Sequence, residues 1–338
     1  MLYGTAATAA LLAVAVVGDA WAPTYALALA AFWWLLPTPV LLVRALLRGR
    51  RRAVVALTAP VAVLASTWGH VLVPGSPASS TARSDLRVAT YNATHGGSVD
   101  GVLRLVADDA PDVLLLQELT PRQRGAADRH LAAAYPYRSF GPLGPQDDGD
   151  AVLSRYPVLS ATPLAGLPDG ARPADLVRLD LGGRTASVLS VHLASPCLGC
   201  SASDGARNPA GGTASAGAVR VAEARHLAEV VQERRRAGDV VVVGGDINSA
   251  ELNEPLQLLV AAGLTDVNAA VGRMPQLTRG PGPGLARVDV VLVAGLEPVR
   301  TWEGERGPST HSPVLADLAL AGWGPGARMA PCRSSTRT

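Results

Sequence analysis

The chain has 338 residues, with 30 Arg and no Lys against 28 acidic side chains, for a formal net charge of +2. Hydrophobic residues at 48%, charged residues at 17% and a mean hydropathy of +0.22 exclude a disordered or acidic-tail protein. Three Cys in this length exclude a disulfide-stapled mini-scaffold and a dense zinc module.

Three apolar runs open the chain, over residues 2–18, 23–43 and 53–73. Each is about long enough to cross a hydrocarbon core of roughly 30 Å. Arg44, Arg48, Arg50, Arg51 and Arg52 fill the gap between the second and third runs, and short basic loops stay cytoplasmic. The expectation is a membrane anchor over residues 1–73 with three transmembrane helices and a cytoplasmic N-terminus. Everything after it would be extracytoplasmic, in a multi-pass protein of the cell membrane. A cleaved signal peptide competes for the first run, but Met1-Leu2-Tyr3-Gly4 lacks a positive n-region. A buried helical subdomain competes for all three. Pro37 and Pro39 are tolerable as a kink in the second run. Residues 1–73 carry five Arg and one Asp (+4), and residues 74–338 carry 25 Arg and 27 acids (−2). The net positive charge therefore belongs to the membrane hairpin and is no nucleic-acid footprint.

Residues 74–85 read as a flexible linker rich in Pro, Ser and Ala, 86–321 as one folded domain, and 322–338 as a disordered tail. Within the domain the pattern predicts strands over 86–92, 112–118, 151–156, 176–181, 186–193, 239–248, 288–293 and 311–318. Helices are predicted over 99–110, 121–134, 216–236 and 252–262. Pairs of successive strands among the β-α pairs point to stacked sheets flanked by helices, not to Rossmann-type alternation.

Polar residues recur at the C-terminal ends of the apolar strands, where layered α/β folds gather their active sites. They are Asn92, Glu118, His192, Asp246 with Asn248, Asp289 and His311. One such residue is ordinarily a cap or a satisfied strand end; a matched set of this size is hard to explain structurally. A carboxylate with an amide oxygen supplies hard ligands for Mg²⁺. Asp246 is suited to orient or deprotonate a water, two His can stabilise charge on a phosphoryl oxygen, and Asp289 can orient an imidazole.

The ordered set Asn92, Gln117-Glu118, Ser154-Arg155-Tyr156-Pro157, His192-Leu193, Gly245-Asp246-Ile247-Asn248, Arg287-Val288-Asp289 and Ser309-Thr310-His311-Ser312-Pro313-Val314 resembles the endonuclease/exonuclease/phosphatase (DNase I-like) superfamily. In layout the chain is most similar to its membrane-anchored bacterial branch, which includes proteins associated with teicoplanin resistance. The resemblance implies a four-layer α/β/β/α sandwich behind the three transmembrane helices. It also implies cleavage of a phosphoester or phosphoanhydride with Mg²⁺, or alternatively Mn²⁺ or Ca²⁺. By the same resemblance Glu118 is the principal metal ligand with Asn92 beside it, and Asp246 prepares the attacking water. Asn248 helps hold the phosphate, His192 and His311 stabilise the transition state, and Asp289 pairs with His311. Hydrolysis would be direct and in-line, without a covalent intermediate. One position departs: Thr310 stands where the family usually has Asp, which implies weaker metal affinity or a one-metal arrangement.

His95 reads as a loop residue near the same mouth, and Arg225 as a solvated or sheet-packing side chain before a phosphate contact. Cys197 and Cys200 are expected to close a disulfide in a Gly/Ser/Ala-rich insertion running to about Gly217, with Cys332 left over. The acidic loop with Asp147, Asp148 and Asp150 near the site argues against nucleic acid and for a lipid-linked or small phosphorylated substrate. A polyprenyl pyrophosphate or a phospholipid is expected first. A cell-surface nuclease and a non-catalytic membrane binding protein are the alternatives, and the sequence leaves the oligomeric state open.

Overall fold

The computed structural model describes residues 1–72, 84–196, 213–282 and 284–320. The expected Cys197–Cys200 disulfide, most of the 74–85 linker and the 322–338 tail lie outside the described residues. Asp85, at the linker's end, is already tied to the domain, its N–H donating to Leu318 O at 2.9 Å.

Among the described residues, two helices are long and apolar enough to cross a membrane on their own. One is α1 (Leu2–Val17), which runs on through a turn at Gly18–Ala20, and the other is α5 (Arg51–Leu72). Between them lie α2 (Ala22–Leu29), α3 (Ala31–Leu35) and α4 (Thr38–Leu47), which qualify only as a pair bent by 67°. The expected second span is thus a broken one. Its break falls at Ala30 and not at Pro37 or Pro39, which sit at the start of α4, where a missing N–H costs nothing. Gly4 lets α1 approach α5, since a Cβ there would lie 2.9 Å from the Ala56 backbone.

The remaining chain forms β1 (Leu86–Asn92), α6 (Asp100–Asp109), β2 (Val113–Leu119), α7 (Pro121–Leu131), β3 (Tyr137–Phe140), β4 (Gly149–Ser154), β5 (Val158–Pro163), β6 (Asp175–Asp180) and β7 (Thr185–His192). There follow α8 (Thr213–Arg236), β8 (Val240–Asp246), α9 (Glu254–Ala261), β9 (Thr265–Asp266), α10 (Val267–Val271), β10 (Asp289–Ala294), β11 (Glu297–Glu303) and β12 (Val314–Ala319). One six-stranded sheet has the order β11-β12-β1-β2-β4-β3 and the other β5-β6-β7-β8-β10-β9. Both are mixed, with β1 parallel to β2 and β7 parallel to β8.

Alternate residues of each strand serve two cores. Val88, Leu115 and Val152 of the first sheet meet Val177, Val188, Val242 and Val291 of the second between the layers. Leu114 and Leu116 face outward onto Val102, Leu105 and Leu131 of α6 and α7. Val241 and Val243 face Leu227, Val231 and Leu259 of α8 and α9. This is the expected four-layer sandwich, and burial on both faces explains the unbroken apolar runs of β2 and β8. The four strands the sequence pattern missed, β3, β5, β9 and β11, are the four sheet edges. Edge strands are short or half-exposed, so they carry neither a long apolar run nor a clean alternation. The helix expected from Ala216 begins at Thr213, so Gly217 belongs to α8 and not to the insertion.

The apolar segment is docked on the sandwich. Asn253 Nδ2 donates to both carboxylate oxygens of buried Asp19, at 3.0 and 3.1 Å. The N-terminal apolar helices and the domain therefore meet directly, which the expectation of a loose tether did not include.

Candidate active site

Asn92, Glu118, His192, Asp246 and Asn248 lie at or just beyond the C-terminal ends of β1, β2, β7 and β8, whereas Asp289 opens β10 and His311 precedes β12. Both of these strands run antiparallel to their neighbours, so these two residues reach the site from N-terminal strand ends and not from the C-terminal ends expected. Asn92 ends β1, and its Nδ2 donates to Glu118 Oε1 at 3.0 Å and to Asp246 Oδ2 at 3.2 Å. Its Oδ1 accepts from Thr94 N at 3.0 Å, so the amide offers the two carboxylates its donor side. Glu118 sits in a register shift of β2 with φ +60°, and that irregularity departs from the simple strand end the sequence suggested. His95 N donates to its Oε2 at 2.7 Å.

His192 ends β7 opposite Asp246 in the register of β8. Its Nδ1 lies 3.8 Å from Glu118 Oε1 and its Nε2 lies 3.6 Å from Asp246 Oδ2. His311 Nε2 approaches the same Asp246 oxygen at 3.7 Å, and its Nδ1 is 2.8 Å from Asp289 Oδ2. Asn248 has φ +48°, donates its N–H to Asp246 Oδ1 at 2.9 Å and spends one Nδ2 hydrogen on Leu193 O at 3.0 Å. The second Nδ2 hydrogen is free for a ligand. All seven residues are thus brought into one connected set around Asp246.

Burial and charge separate their protonation. Desolvation raises the Asp246 carboxyl to about 7, nearby Asp289 adding to the rise and His311 opposing it. Desolvation would lower His311, but Asp289 and Asp246 outweigh it and lift the ring to about 9. His192 is driven well below its ordinary value by burial and by the Arg172 charge, so it is neutral at pH 7. Burial would raise Glu118, yet His192, the Asn92 amide and the His95 N–H hold it below the usual carboxylate range. With His192 neutral, the two hydrogen bonds and the Arg172 charge carry that lowering.

The donor set fits a divalent cation. His192 Nδ1 and Asp289 Oδ1 are buried without a hydrogen-bond partner, beside the hard oxygens of Glu118 and Asp246. Asp246, Asp289 and His311 also bring one ligand atom each within 4.8 Å of one another. His311 Nδ1 and Asp289 Oδ2 are already engaged with each other, which makes that trio a relay before a ligand set.

Several neighbours had no sequence signal. Arg172 lies in the irregular stretch before β6 and pairs with Asp148 at 3.0 Å. Arg279, exposed, bridges in backbone register to His311, and its Nη1 reaches toward Thr310 O at 3.5 Å. Thr310 is exposed, its hydroxyl 3.3 Å from that of Thr94. The acidic-loop argument is corrected: Asp148 is buried against Arg172 and His95, and burial raises buried Asp150 well above its ordinary value. Only Asp147 of the three presents free charge to solvent. Arg225 pairs with Glu254 at 2.8 Å and takes no part in the site. Arg287, quoted with Asp289 in the motif, is buried in bidentate contact with Asp266 and has a structural role.

The chain resembles solved structures with this architecture. A humanized TDP2 of D. rerio matches with TM-score 0.52 and 15% identity, over 70% of this chain and 99% of that one. An endonuclease/exonuclease/phosphatase from Beutenbergia cavernae matches with TM-score 0.50 and 22% identity, over 73% and 74%. The human Nocturnin catalytic domain with bound sulfate matches with TM-score 0.51 and 17% identity, over 69% and 94%. These likenesses are of fold. No curated protein matches in sequence. The sequence profile described as "Endonuclease/Exonuclease/phosphatase family" matches residues 89–311, which include every site residue named above. The chain belongs to the endonuclease/exonuclease/phosphatase family of metal-dependent phosphoester hydrolases.

Proposed function

We propose that the chain is an extracytoplasmic phosphohydrolase embedded in the cell membrane by its N-terminal helices, with the Arg44–Arg52 loop cytoplasmic, and that it cleaves a phosphoester or pyrophosphate of a lipid-linked substrate. Polyprenyl pyrophosphate or a phospholipid is the substrate class. Glu118, with Asn92 beside it, would hold Mg²⁺. When bound, such an ion neutralises charge on the phosphoryl oxygens. Asp246, titrating near neutrality, takes the proton of the attacking water. His311, charged at pH 7 through Asp289, donates to a phosphoryl oxygen as negative charge builds on it. Neutral His192 donates from the opposite side of Asp246, and the free Nδ2 hydrogen of Asn248 orients the phosphate. The bond to the leaving oxygen breaks in line with attack, and no covalent enzyme intermediate is required.

One observation carries the lipid reading. Trp33, just past the bend of the broken span, donates from Nε1 to Leu285 O at 2.7 Å. Leu285 closes the turn onto Arg279 through N–H to O at 2.7 Å, and Arg279 bridges to His311. The rim of the site is thus fastened to an apolar segment, with Trp33 and Leu285 both exposed there. Long polyanions gain nothing from such a rim, whereas a phosphate attached to a hydrocarbon does. The neutralised acidic loop keeps a nuclease reading in the comparison.

The test is phosphate release by the full chain in lipid vesicles, offering polyprenyl pyrophosphate, phospholipid, and single- and double-stranded DNA, each with Mg²⁺ and with chelator. Release from a lipid-linked substrate at least ten times faster than any cleavage of DNA supports the proposal. DNA cleavage as the faster reaction overturns it.

A further inference from the structure

The Asp19–Tyr25 segment meets the sandwich at the two strand ends that carry the site. Tyr25, buried, donates its hydroxyl to Asn248 O at 2.9 Å. Its ring lies 4.3 Å under the Arg220 guanidinium. Arg220 in turn donates from Nη1 to Ala194 O at 2.7 Å, and Glu223 Oε2 accepts from Ala194 N at 2.8 Å, two residues beyond His192. One side chain of the apolar segment therefore bears on the β8 end directly and on the β7 end through α8.

The turn that follows Asp246 is closed by the same segment. Asn253 Oδ1 accepts from Ala250 N at 2.9 Å, while its Nδ2 donates to Asp19 and, at 3.3 Å, to Tyr25 O. Asn253 and Ser249 are buried beneath it. Gly217 of α8 makes the approach feasible, because a Cβ there would stand 2.2 Å from Asp19 O. Asn248 holds φ +48°, a conformation Asn tolerates but does not prefer, and its carbonyl direction follows from that twist. Without the Tyr25 hydroxyl this buried carbonyl loses its partner, and the turn is free to relax.

We propose that Tyr25 is a positioning residue of the hydrolytic site, so that the N-terminal membrane segment sets the geometry of Asn248 and Asp246 besides holding the enzyme at the bilayer. This rests on the reading of Asn248 and Asp246 as site residues. The segment makes no contact with substrate in this account; it acts through the turn. The 67° bend at Ala30 separates the Tyr25 contact from the Trp33 contact, so both aromatic side chains reach the domain from one broken helix.

The test compares the full-length wild type with Tyr25→Phe, Gly217→Val and, as an anchor control, Thr58→Ala, all in detergent micelles. The substrate is a soluble ester, bis(p-nitrophenyl) phosphate, so that access to lipid plays no part. Tyr25→Phe keeps the ring over Arg220 and is expected to lower kcat about tenfold with KM within twofold. Gly217→Val is expected to lower kcat at least as much, and Thr58→Ala to leave it unchanged. In parallel, hydrogen exchange of peptides covering residues 247–253 should quicken in Tyr25→Phe while the β1 and β12 peptides stay at wild-type protection. Wild-type values of either kcat or exchange in Tyr25→Phe overturn the proposal, as does general loss of protection in β1 and β12. Should the wild type hydrolyse no phosphoester, the functional reading fails, and the exchange result alone decides the positioning claim.

Discussion

His311 Nδ1 lies 2.8 Å from Asp289 Oδ2, with both side chains buried and with Asp246 3.7 Å from the ring's other nitrogen. This places an imidazolium between two carboxylates. His311 is charged until about pH 9, whereas Asp246 loses its proton near 7. In the proposed mechanism the pair is in its working state, acid protonated and base free, between those values.

A pH profile checks this. Activity should rise as pH passes 7 and fall as it passes about 9, when His311 loses its proton. Asp289→Asn removes the charge that holds the ring protonated, so the alkaline limb should move to lower pH and kcat should drop about a hundredfold. An unmoved alkaline limb would show that Asp289 does not set the His311 charge.

Buried Arg287 pairs with Asp266 through both guanidinium nitrogens, Nη1 at 2.9 Å and Nη2 at 2.6 Å, and with Glu251 at 3.3 Å. Arg287→Met leaves buried Asp266 and partly buried Glu251 without their cation and should cost about 3–5 kcal/mol of stability. Chemical denaturation measures this directly. The Asp266→Asn/Arg287→Met double variant should recover part of the loss, since fewer charges are then stranded.

Gly245 lies where β8 passes β7, and a Cβ there would fall 1.8 Å from Val191 O. Gly245→Ala must push the parallel strands apart one residue before Asp246. A loss of about 1–3 kcal/mol is expected, with a lowered Tm and lowered activity together. Wild-type Tm in this variant would mean that the strands sit further apart than described.

Glu223 supplies a pH-dependent stability. Burial raises its carboxyl to about 7, with the Ala194 and Arg172 N–H groups and the Arg220 and Arg172 charges opposing. The folded state then binds more protons than the unfolded state between about 4.5 and 7, so stability falls as pH rises through that window. The full difference is roughly 3 kcal/mol from pH 4 to pH 8. Glu223→Gln should flatten that part of the Tm profile, and an unchanged slope would exclude Glu223 as its source.

The sequence made the central strands and the site legible for the same reason. Strands buried on both faces must be continuously apolar, so Asn92, Glu118, His192, Asp246 and Asp289 stand out as polar interruptions at or near their ends. Edge strands lacked that contrast, and β3, β5, β9 and β11 were invisible. Arg172 and Arg279 were equally hidden, because an Arg in an irregular loop has no periodicity to mark it. The charge of the 147–150 loop was misjudged because sequence cannot register that Asp148 is paired or that burial favours the protonated Asp150. Tyr25 was one residue of the second apolar run and Asp19 one of the connection before it; only the fold brings them to Asn248 and Asn253 across more than two hundred residues.

Phosphate release by the full-length protein, wild type against Glu118→Gln and Asp246→Asn, with Mg²⁺ titrated from chelated to millimolar, tests the central claim most directly. Mg²⁺-dependent release in the wild type, reduced about a hundredfold or more in both variants while their Tm stays near wild type, is the predicted result. Release that persists in either variant, or that ignores Mg²⁺, would contradict the assignment of this cluster as the hydrolytic site.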